Sequence, residues 1–177
     1  MSVSRRSFTP VDRGDPTADW SETAATAPEI CLDTAAIGGL RFGGLLDDAR
    51  FLGKADFCRY AKTDYLELIY ARAGFQLDFE DDRLAYAVFF VAHGVDQAEV
   101  PGLELCCPRE RAAGRFSAET KCEDIIAVFG KPDSVDFEED IEVVLFFSVN
   151  GLTLEFEFSW EDSLKRWNLY PIRKISQ

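Results

Sequence analysis

Residues 53–80 have the sequence GKADFCRYAKTDYLELIYARAGFQLDFE, and residues 130–157 have the sequence GKPDSVDFEEDIEVVLFFSVNGLTLEFE. The two segments lie 77 positions apart, align without a gap and share eight of 28 residues. A glycine opens each segment (Gly53, Gly130), and a second glycine stands at the same place inside each (Gly74, Gly151). Because self-similarity at a fixed spacing is the signature of repeated supersecondary units, the chain is predicted to contain one unit twice.

Each unit is predicted to be a short helix followed by three strands. The first helix covers 45–52 and ends at Gly53; the second begins at the capping pattern Thr120-Lys121-Cys122-Glu123 and ends at Gly130. Asn150-Gly151 predicts a hairpin turn, because both residues accept positive φ angles. The predicted strands are 64–71, 74–81, 84–92, 141–149, 151–159 and 164–170.

These elements predict an α+β fold of two tandem repeats. Each repeat is a short helix plus an antiparallel β-meander, and the helices lie on one face of the sheet. Residues 1–28 are poor in apolar side chains, which predicts a flexible N-terminal extension with Trp20 as the one residue able to dock on the body. The remaining divisions are repeat 1 (strand, helix, meander) at 29–92, an inter-repeat linker at 93–113 and repeat 2 (helix, meander) at 114–177.

Alternation along the strands separates a core face from an opposite face. Twelve aligned positions stay apolar, which predicts that they build the core: Leu66, Leu68, Tyr70, Phe75, Leu77, Phe79, Val143, Leu145, Phe147, Leu152, Leu154 and Phe156. The candidate binding residues of the opposite face are Tyr65, Glu67, Ile69, Asp78, Glu80, Tyr86, Phe90, Phe146, Glu155, Glu157, Arg166 and Tyr170. The same face also carries Gln76, Glu142, Val144, Thr153 and Asn168.

Two interpretations fit the mixed composition of this opposite face. Large aromatic rings beside charged groups are typical of a protein-binding surface, where rings serve as anchors and charges select the partner. Strand propensity and solubility would also place Tyr, Thr, Phe and carboxylates on a face that only meets water. The sequence leaves both interpretations open.

Composition narrows the class of partner. The chain has 177 residues, 47% of them hydrophobic, and a net charge of −13 from 32 acidic and 19 basic residues. This charge would repel nucleic acid and anionic membrane at long range, so neither is predicted as a partner. A basic protein partner fits the charge, as does plain solubility. No oligomeric state is predicted.

A cytoplasmic location is predicted from the cysteines and the N-terminus. Five cysteines are an odd number, and they occupy unmatched positions in the two segments, so no disulfide framework is visible. Arg5-Arg6 resembles the start of a twin-arginine export signal, but no apolar stretch follows it. The longest apolar run, 84–92, is about half the length that a bilayer crossing needs.

No catalytic, metal or cofactor site is predicted, and the protein is not predicted to be an enzyme. The carboxylate pairs Asp78/Glu80 and Glu155/Glu157 would lie about 7 Å apart on one face, near the spacing of glycosidase acids, but glycosidase pairs come from different strands of a cleft. His93 is the single histidine. The glycine-rich stretch 37–44 lacks the lysine and hydroxyl residue that end a phosphate-binding loop.

The tandem arrangement of a short helix and a meander resembles the β-lactamase inhibitor protein family. The run from Phe116 to Asp133, which contains Gly130-Lys131-Pro132-Asp133, is similar to the helix and turn of the small lipoproteins that accompany outer-membrane barrel assembly. The resemblance extends over 29–170. It implies a concave sheet that grips another protein.

The predicted function is that of a non-enzymatic protein-binding module, of inhibitor or immunity type, whose open sheet face binds a basic partner. The alternative is a hydrolase-like or ligand-binding domain that uses the carboxylates of that face. Convergence of Asp78, Glu80, Glu155 and Glu157 in one water-excluded pocket would favour the alternative, and separate exposure to solvent would exclude an enzyme.

Overall fold

The structure is a computed structural model that describes residues 13–22, 28–91, 103–106, 114–138 and 142–172. Two β-sheets form most of it. Its strands are β1 (Ile30–Cys31), β2 (Ala36–Ile37), β3 (Leu40–Arg41), β4 (Phe57–Lys62), β5 (Tyr65–Tyr70), β6 (Phe75–Glu80), β7 (Arg83–Phe90), β8 (Leu103–Cys106), β9 (Gly114–Phe116), β10 (Ser134–Glu138), β11 (Glu142–Val149), β12 (Leu152–Ser159) and β13 (Leu164–Pro171). The helices of these ranges are α1 (Cys122–Phe129) and two 3₁₀ helices (Leu46–Leu52 and Ala71–Ala73).

The larger sheet has eight antiparallel strands in the order β10-β11-β12-β13-β7-β6-β5-β4. Sequential strands pair throughout β4–β7 and throughout β10–β13, so each run is a four-stranded meander. The two meanders meet where β13 pairs with β7, and Trp167 lies opposite Phe89 at this junction. The smaller sheet has the order β3-β2-β1-β8-β9, in which β1 and β8 are parallel.

The predicted α+β fold of two helix-plus-meander repeats, with helices on one face, is wrong. The described chain is mostly antiparallel β-structure. The first predicted helix is a seven-residue 3₁₀ segment, and α1 has eight residues. Segments this short fall below the roughly 12–15 residues that sustain a helix by themselves, whereas the period-two pattern of the neighbouring segments favours sheet pairing. The strand predicted at the start of repeat 1, over 29–32, is β1 of the smaller sheet. The edge strands β4 and β10 and the other four strands of the smaller sheet are additional to the predicted elements.

The helix ends follow the predicted glycines, but the start of α1 differs. Gly53 and Gly130 end the two helices with φ angles of 75° and 86°. The residue that caps α1 is Lys121, whose backbone N–H donates to Oδ2 of Asp124 at 2.9 Å. The hydroxyl of Thr120 instead accepts a hydrogen bond from the backbone of Ser117 at 2.9 Å. The capping pattern predicted at Thr120 and Glu123 is therefore shifted by one residue.

The strand and hairpin predictions within the meanders are confirmed. All six predicted strands match β5, β6, β7, β11, β12 and β13 to within two residues. Asn150 and Gly151 have φ angles of 51° and 82°. Positive φ at both central residues gives a two-residue turn the same twist as the strands that it joins. Asp81 and Asp82 between β6 and β7 also have positive φ, which short acidic side chains tolerate better than bulky ones.

Replacement of Gly151 by alanine is expected to lower the free energy of unfolding by about 1 kcal/mol, because alanine is strained at positive φ. A Cβ at this position would meet nothing within 4 Å, so backbone conformation alone opposes the change. Chemical denaturation of Gly151→Ala beside the wild type measures the difference. An unchanged or raised stability would contradict the turn conformation described here.

The core lies on one face of the larger sheet. The smaller sheet and α1 pack on this face and enclose the core. Of the twelve positions predicted to face inward, only Val143 is not fully buried. Phe129 of α1 packs on Phe147 and Phe156, with ring centroids 5.5 and 5.6 Å apart. Trp167 and Leu169 of β13 are completely buried as well.

Part of the N-terminal segment packs on this body. Trp20 is buried and belongs to the core cluster, and the guanidinium of Arg50 lies 5.6 Å from its ring centre. Thr17 is also buried, and its hydroxyl accepts a hydrogen bond from the backbone N–H of Ala55 at 3.1 Å. Residues 13–22 therefore contribute to the fold, and the predicted division of the chain into domains stays a prediction. No helix within the described ranges is long and apolar enough to cross a membrane.

Candidate functional site

The face of the larger sheet that is turned away from the core, called here the polar face, carries buried carboxylates in the middle of its strands. Cross-strand pairing places Glu67 opposite Asp78, and Asp78 opposite Tyr86. On the other meander, Glu155 lies opposite Asn168. Asp78, Glu67 and Glu157 are each less than 10% exposed. A buried carboxylate is destabilising unless donors compensate it, so the polar face must hold a donor for each one.

The first group of polar residues, called the Asp78 cluster, consists of Arg59, Tyr65, Glu67, Gln76 and Asp78. The hydroxyl of Tyr65 donates to Oδ2 of Asp78 at 2.7 Å, and the amide of Gln76 donates to Oδ1 at 2.7 Å. Arg59 donates from Nε to Glu67 Oε2 at 2.6 Å and forms an ion pair with it. Glu67 thus has a cationic partner, whereas Asp78 has only neutral donors.

The pKa of Asp78 is raised from 3.8 to about 6. Burial is the main cause, because the charged form loses its hydration, and the neighbouring charge of Glu67 adds to the shift. The hydrogen bonds from Tyr65 and Gln76 act in the opposite direction, since they favour the charged form. Near neutral pH the sheet therefore contains a charged carboxylate that its own surroundings solvate poorly.

The second group, called the Glu155 cluster, consists of Glu155, Glu157, Arg166, Asn168 and Tyr170. One amide nitrogen, Nδ2 of Asn168, donates to Glu155 at 2.9 Å and to Glu157 at 2.7 Å. Arg166 Nε forms an ion pair with Glu157 at 2.7 Å, and the Tyr170 hydroxyl donates to Glu155 at 2.9 Å. The arrangement parallels the Asp78 cluster: one carboxylate is paired with arginine, and the other accepts only from a tyrosine and an amide.

Three tyrosines line an open pocket of about 380 Å³ between the two clusters. The rings of Tyr86 and Tyr170 are stacked, with centroids 5.0 Å apart and planes 16° from parallel. Burial raises the pKa of the Tyr65, Tyr86 and Tyr170 hydroxyls, and nearby carboxylates raise them further, so all three stay neutral. The pocket, called here the tyrosine pocket, is lined by Tyr65, Glu80, Ala85, Tyr86, Tyr170 and Pro171.

The structure brings most of the predicted site residues together on the polar face. Asp78, Glu67 and Glu157 are buried, and Glu80 and Arg166 are exposed. The remaining predicted residues are partly exposed: Tyr65, Ile69, Tyr86, Phe90, Phe146, Glu155 and Tyr170. Of the accompanying residues, Val144 and Asn168 are buried, and the side chain of Glu142 lies outside the described part of the chain. His93 and the Arg5-Arg6 pair lie outside it as well.

The four carboxylates singled out in the sequence neither converge in one pocket nor point separately into solvent. Asp78 belongs to one cluster, Glu155 and Glu157 to the other, and Glu80 stands at the rim of the tyrosine pocket. Both oxygens of Asp78 accept hydrogen bonds. Within the described ranges no group of three or more His, Cys, Asp and Glu side chains is arranged to hold a metal ion.

Arg59, Asn168 and Ala85 have roles that their sequence positions did not reveal. Arg59 lies on β4, a strand that was not predicted, and so its pairing with Glu67 could not be anticipated. Asn168 was placed on the correct face, but its bridging of two carboxylates depends on the register of β12 and β13. Ala85 lies at the irregularity between β6 and β7 and leaves room for the pocket.

Comparison with known proteins establishes a likeness of fold. No protein-family model matches the sequence, and no curated protein is significantly similar to it. The solved structure of a DUF4309 family protein (YjgB) from Bacillus subtilis is similar with a TM-score of 0.52 and 12% identity, over 77% of this chain and 84% of that one. An extracellular protein containing an SCP domain from Bacillus anthracis gives a TM-score of 0.48 and 10% identity, over 73% of this chain and 44% of that one.

Proposed function

We propose that the protein is a non-enzymatic protein-binding module, of inhibitor or immunity type, and that its polar face binds a basic partner. The observation that carries this proposal is the pair of stacked, partly exposed rings of Tyr86 and Tyr170 beside two clusters of carboxylates. Two further partly exposed rings lie on the same face: Phe90 opposite Arg166, and Phe146 opposite Glu155 on the far side of the Glu155 cluster. Rigid aromatic anchors surrounded by charges are the composition of binding hot spots.

The charge of the face supports a basic partner. Cross-strand pairing places six carboxylates and four cations on the polar face, so that acidic groups predominate: Glu67, Asp78, Glu80, Asp136, Glu155 and Glu157 against Arg59, Lys62, Arg83 and Arg166. The whole chain carries −13. Charge complementarity of this kind accelerates association and selects among partners. Nucleic acid and anionic membrane are repelled by the same field.

The interpretation as a binding module also rests on how the carboxylates are held. Each buried carboxylate is fixed by hydrogen bonds within the sheet, which suits a rigid, preorganised surface.

Cys31, Cys58 and Cys122 are free thiols, and burial raises the pKa of Cys58 to about 11 and that of Cys122 to about 12, so both stay unreactive at neutral pH. Free thiols are typical of a reducing compartment, which supports the proposed cytoplasmic location.

Replacement of Tyr86 or Phe146 by alanine is expected to reduce capture of the partner at least tenfold, because truncation of an aromatic anchor removes about 2 kcal/mol or more of binding energy. The measurement is affinity capture from lysate of the producing cells, with wild-type protein and each variant as bait. Trp160→Ala is the matched control, since Trp160 is an exposed aromatic residue in the turn between β12 and β13.

Thermal unfolding of the same baits distinguishes loss of binding from loss of fold. Both face variants are expected to unfold within a few degrees of the wild type, because each side chain is partly exposed. A protein captured equally by the wild type, Tyr86→Ala and Phe146→Ala would not use the polar face. Unfolding of both variants at ordinary temperature would mean that this face is core.

A further inference from the structure

We infer that the tyrosine pocket is a subsite for one arginine side chain of the basic partner. This inference rests on the proposed function and assigns a chemical role to one part of the polar face. It follows from three observations: the pairing of the carboxylates around the pocket, the geometry of its aromatic wall and the size of the opening.

The carboxylates around the pocket differ in their cationic partners. Glu67 is paired with Arg59, and Glu157 with Arg166. Among the described residues, Asp78 and Glu155 form no ion pair, although both are held by hydrogen bonds. These two carboxylates bind the hydroxyls of Tyr65 and Tyr170, which are walls of the pocket. A cation in the pocket would thus lie close to two carboxylates whose hydrogen-bond donors are all neutral and on which Arg59 and Arg166 act only at longer range.

The aromatic wall suits a planar cation. Tyr86 and Tyr170 are stacked almost parallel at the junction of β7 and β13, so each ring covers one face of the other and a planar cation would extend the stack on an outer ring face. Guanidinium groups stack on such rings and are attracted by the electron-rich ring face, and they are more weakly hydrated than ammonium groups. A hydroxyl that donates to a carboxylate, as those of Tyr65 and Tyr170 do, makes its ring richer in electrons. Arginine is therefore favoured over lysine.

The opening is large enough for one side chain. The volume of about 380 Å³ lies at the lower end of the range for small-ligand pockets. Ala85 forms part of the lining with only a methyl group, and Pro171 forms another apolar part. The methylene groups of an arginine side chain can contact these apolar walls while its guanidinium lies on the tyrosine rings.

Titration with N-acetyl-arginine amide, followed by amide NMR spectra of the full chain, tests the inference. Saturable shifts are expected at Ala85, Tyr86 and Tyr170, with a Kd on the order of 1–10 mM for a single residue. The neutral analogue N-acetyl-citrulline amide has nearly the same shape and is expected to cause no saturable shift at these residues. Equal shifts with the citrulline compound would overturn the role of charge.

Two variants report on the pocket by opposite means. Tyr86→Ala removes the aromatic wall, and Ala85→Phe fills the opening; both are expected to weaken binding of the arginine compound at least tenfold, while Trp160→Ala leaves it unchanged. If one of the two variants unfolds, the other variant still tests whether the arginine compound binds in the pocket. Spermidine, a free polyamine, serves as the alternative source of cations. Tighter binding of spermidine than of an Arg-containing pentapeptide would show a small-molecule site and would contradict a partner side chain.

Failure of this inference is separable from failure of the proposed function. Loss of partner capture by Tyr86→Ala without any binding of the arginine compound would refute the arginine subsite and leave protein binding intact. Binding of the arginine compound, together with partner capture that no polar-face variant affects, would refute the proposed function for this face.

Discussion

Trp167→Ala is expected to lower the free energy of unfolding by about 3–5 kcal/mol, as truncation of a fully buried aromatic residue does. Trp167 is 0% exposed and lies where the two meanders join, opposite Phe89 on β7 and Phe156 on β12. Its ring centroid lies 4.4 Å from that of Phe89 and 5.8 Å from that of Phe156. Its removal leaves a cavity on both sides of the junction. Because domains are stable by only about 5–15 kcal/mol, this change removes a large part of the total.

Urea denaturation followed by circular dichroism measures this loss, and two variants calibrate it. Trp160→Ala removes an exposed tryptophan and is expected to change stability by less than about 0.5 kcal/mol. Trp167→Phe keeps a ring and deletes an indole N–H that has no hydrogen-bond partner, so it is expected to be milder than alanine. If Trp167→Ala is as stable as Trp160→Ala, the β7–β13 junction is not part of the core.

Asp78→Asn is expected to stabilise the protein at pH 8 by about 1–3 kcal/mol. The upper value follows from the rise of the Asp78 pKa from 3.8 to about 6, since one pKa unit corresponds to about 1.4 kcal/mol. Asparagine removes the poorly solvated charge, but it also weakens the hydrogen bonds from Tyr65 and Gln76 to a charged acceptor, so the net gain falls below the upper value.

The sign of the pH dependence follows from the raised pKa. Between about pH 4 and pH 6 the folded state holds the Asp78 proton more tightly than the unfolded state, so the contribution of Asp78 to stability falls as pH rises through this window. The stability difference between Asp78→Asn and the wild type should therefore grow from pH 4 to pH 7. Thr153→Ala, on the same face and without a titratable group, should show a constant difference. A destabilisation by Asp78→Asn that is equal at pH 4 and pH 8 would contradict the raised pKa.

The parts of the fold that could be predicted from sequence are those fixed by local chemistry. Asn150-Gly151 and Gly74 determine where hairpins turn, because their φ angles are positive, and alternation of apolar side chains determines the buried face between turns. The edge strand β10 alternates in the same way, with Val135 and Phe137 between polar residues, but it has only five residues and was not predicted; its described side chains, residues 134–137, are all exposed. The short helical segments gave a misleading signal, because capping residues and glycines mark 3₁₀ turns as well as α-helices.

The sequence predicts which residues the candidate site contains, but it does not predict how they are arranged. Strand alternation placed Glu67, Asp78 and Glu157 on the polar face, yet their burial depends on partners in other strands, such as Arg59 and Asn168. The antiparallel contact of β13 with β7, which stacks Tyr170 on Tyr86, joins residues 76 to 84 positions apart in the sequence. No local pattern encodes such a contact.

Hydroxyl-radical footprinting of the complex with the captured partner decides whether the partner binds the polar face, because it reports which side chains the partner covers. Binding to the polar face predicts protection of Tyr86, Tyr170 and Phe146 and unchanged labelling of Trp160. Unchanged labelling of Tyr86 and Tyr170, with protection of Phe137 and Ile126, would place the partner at the β10 edge and exclude binding at the polar face.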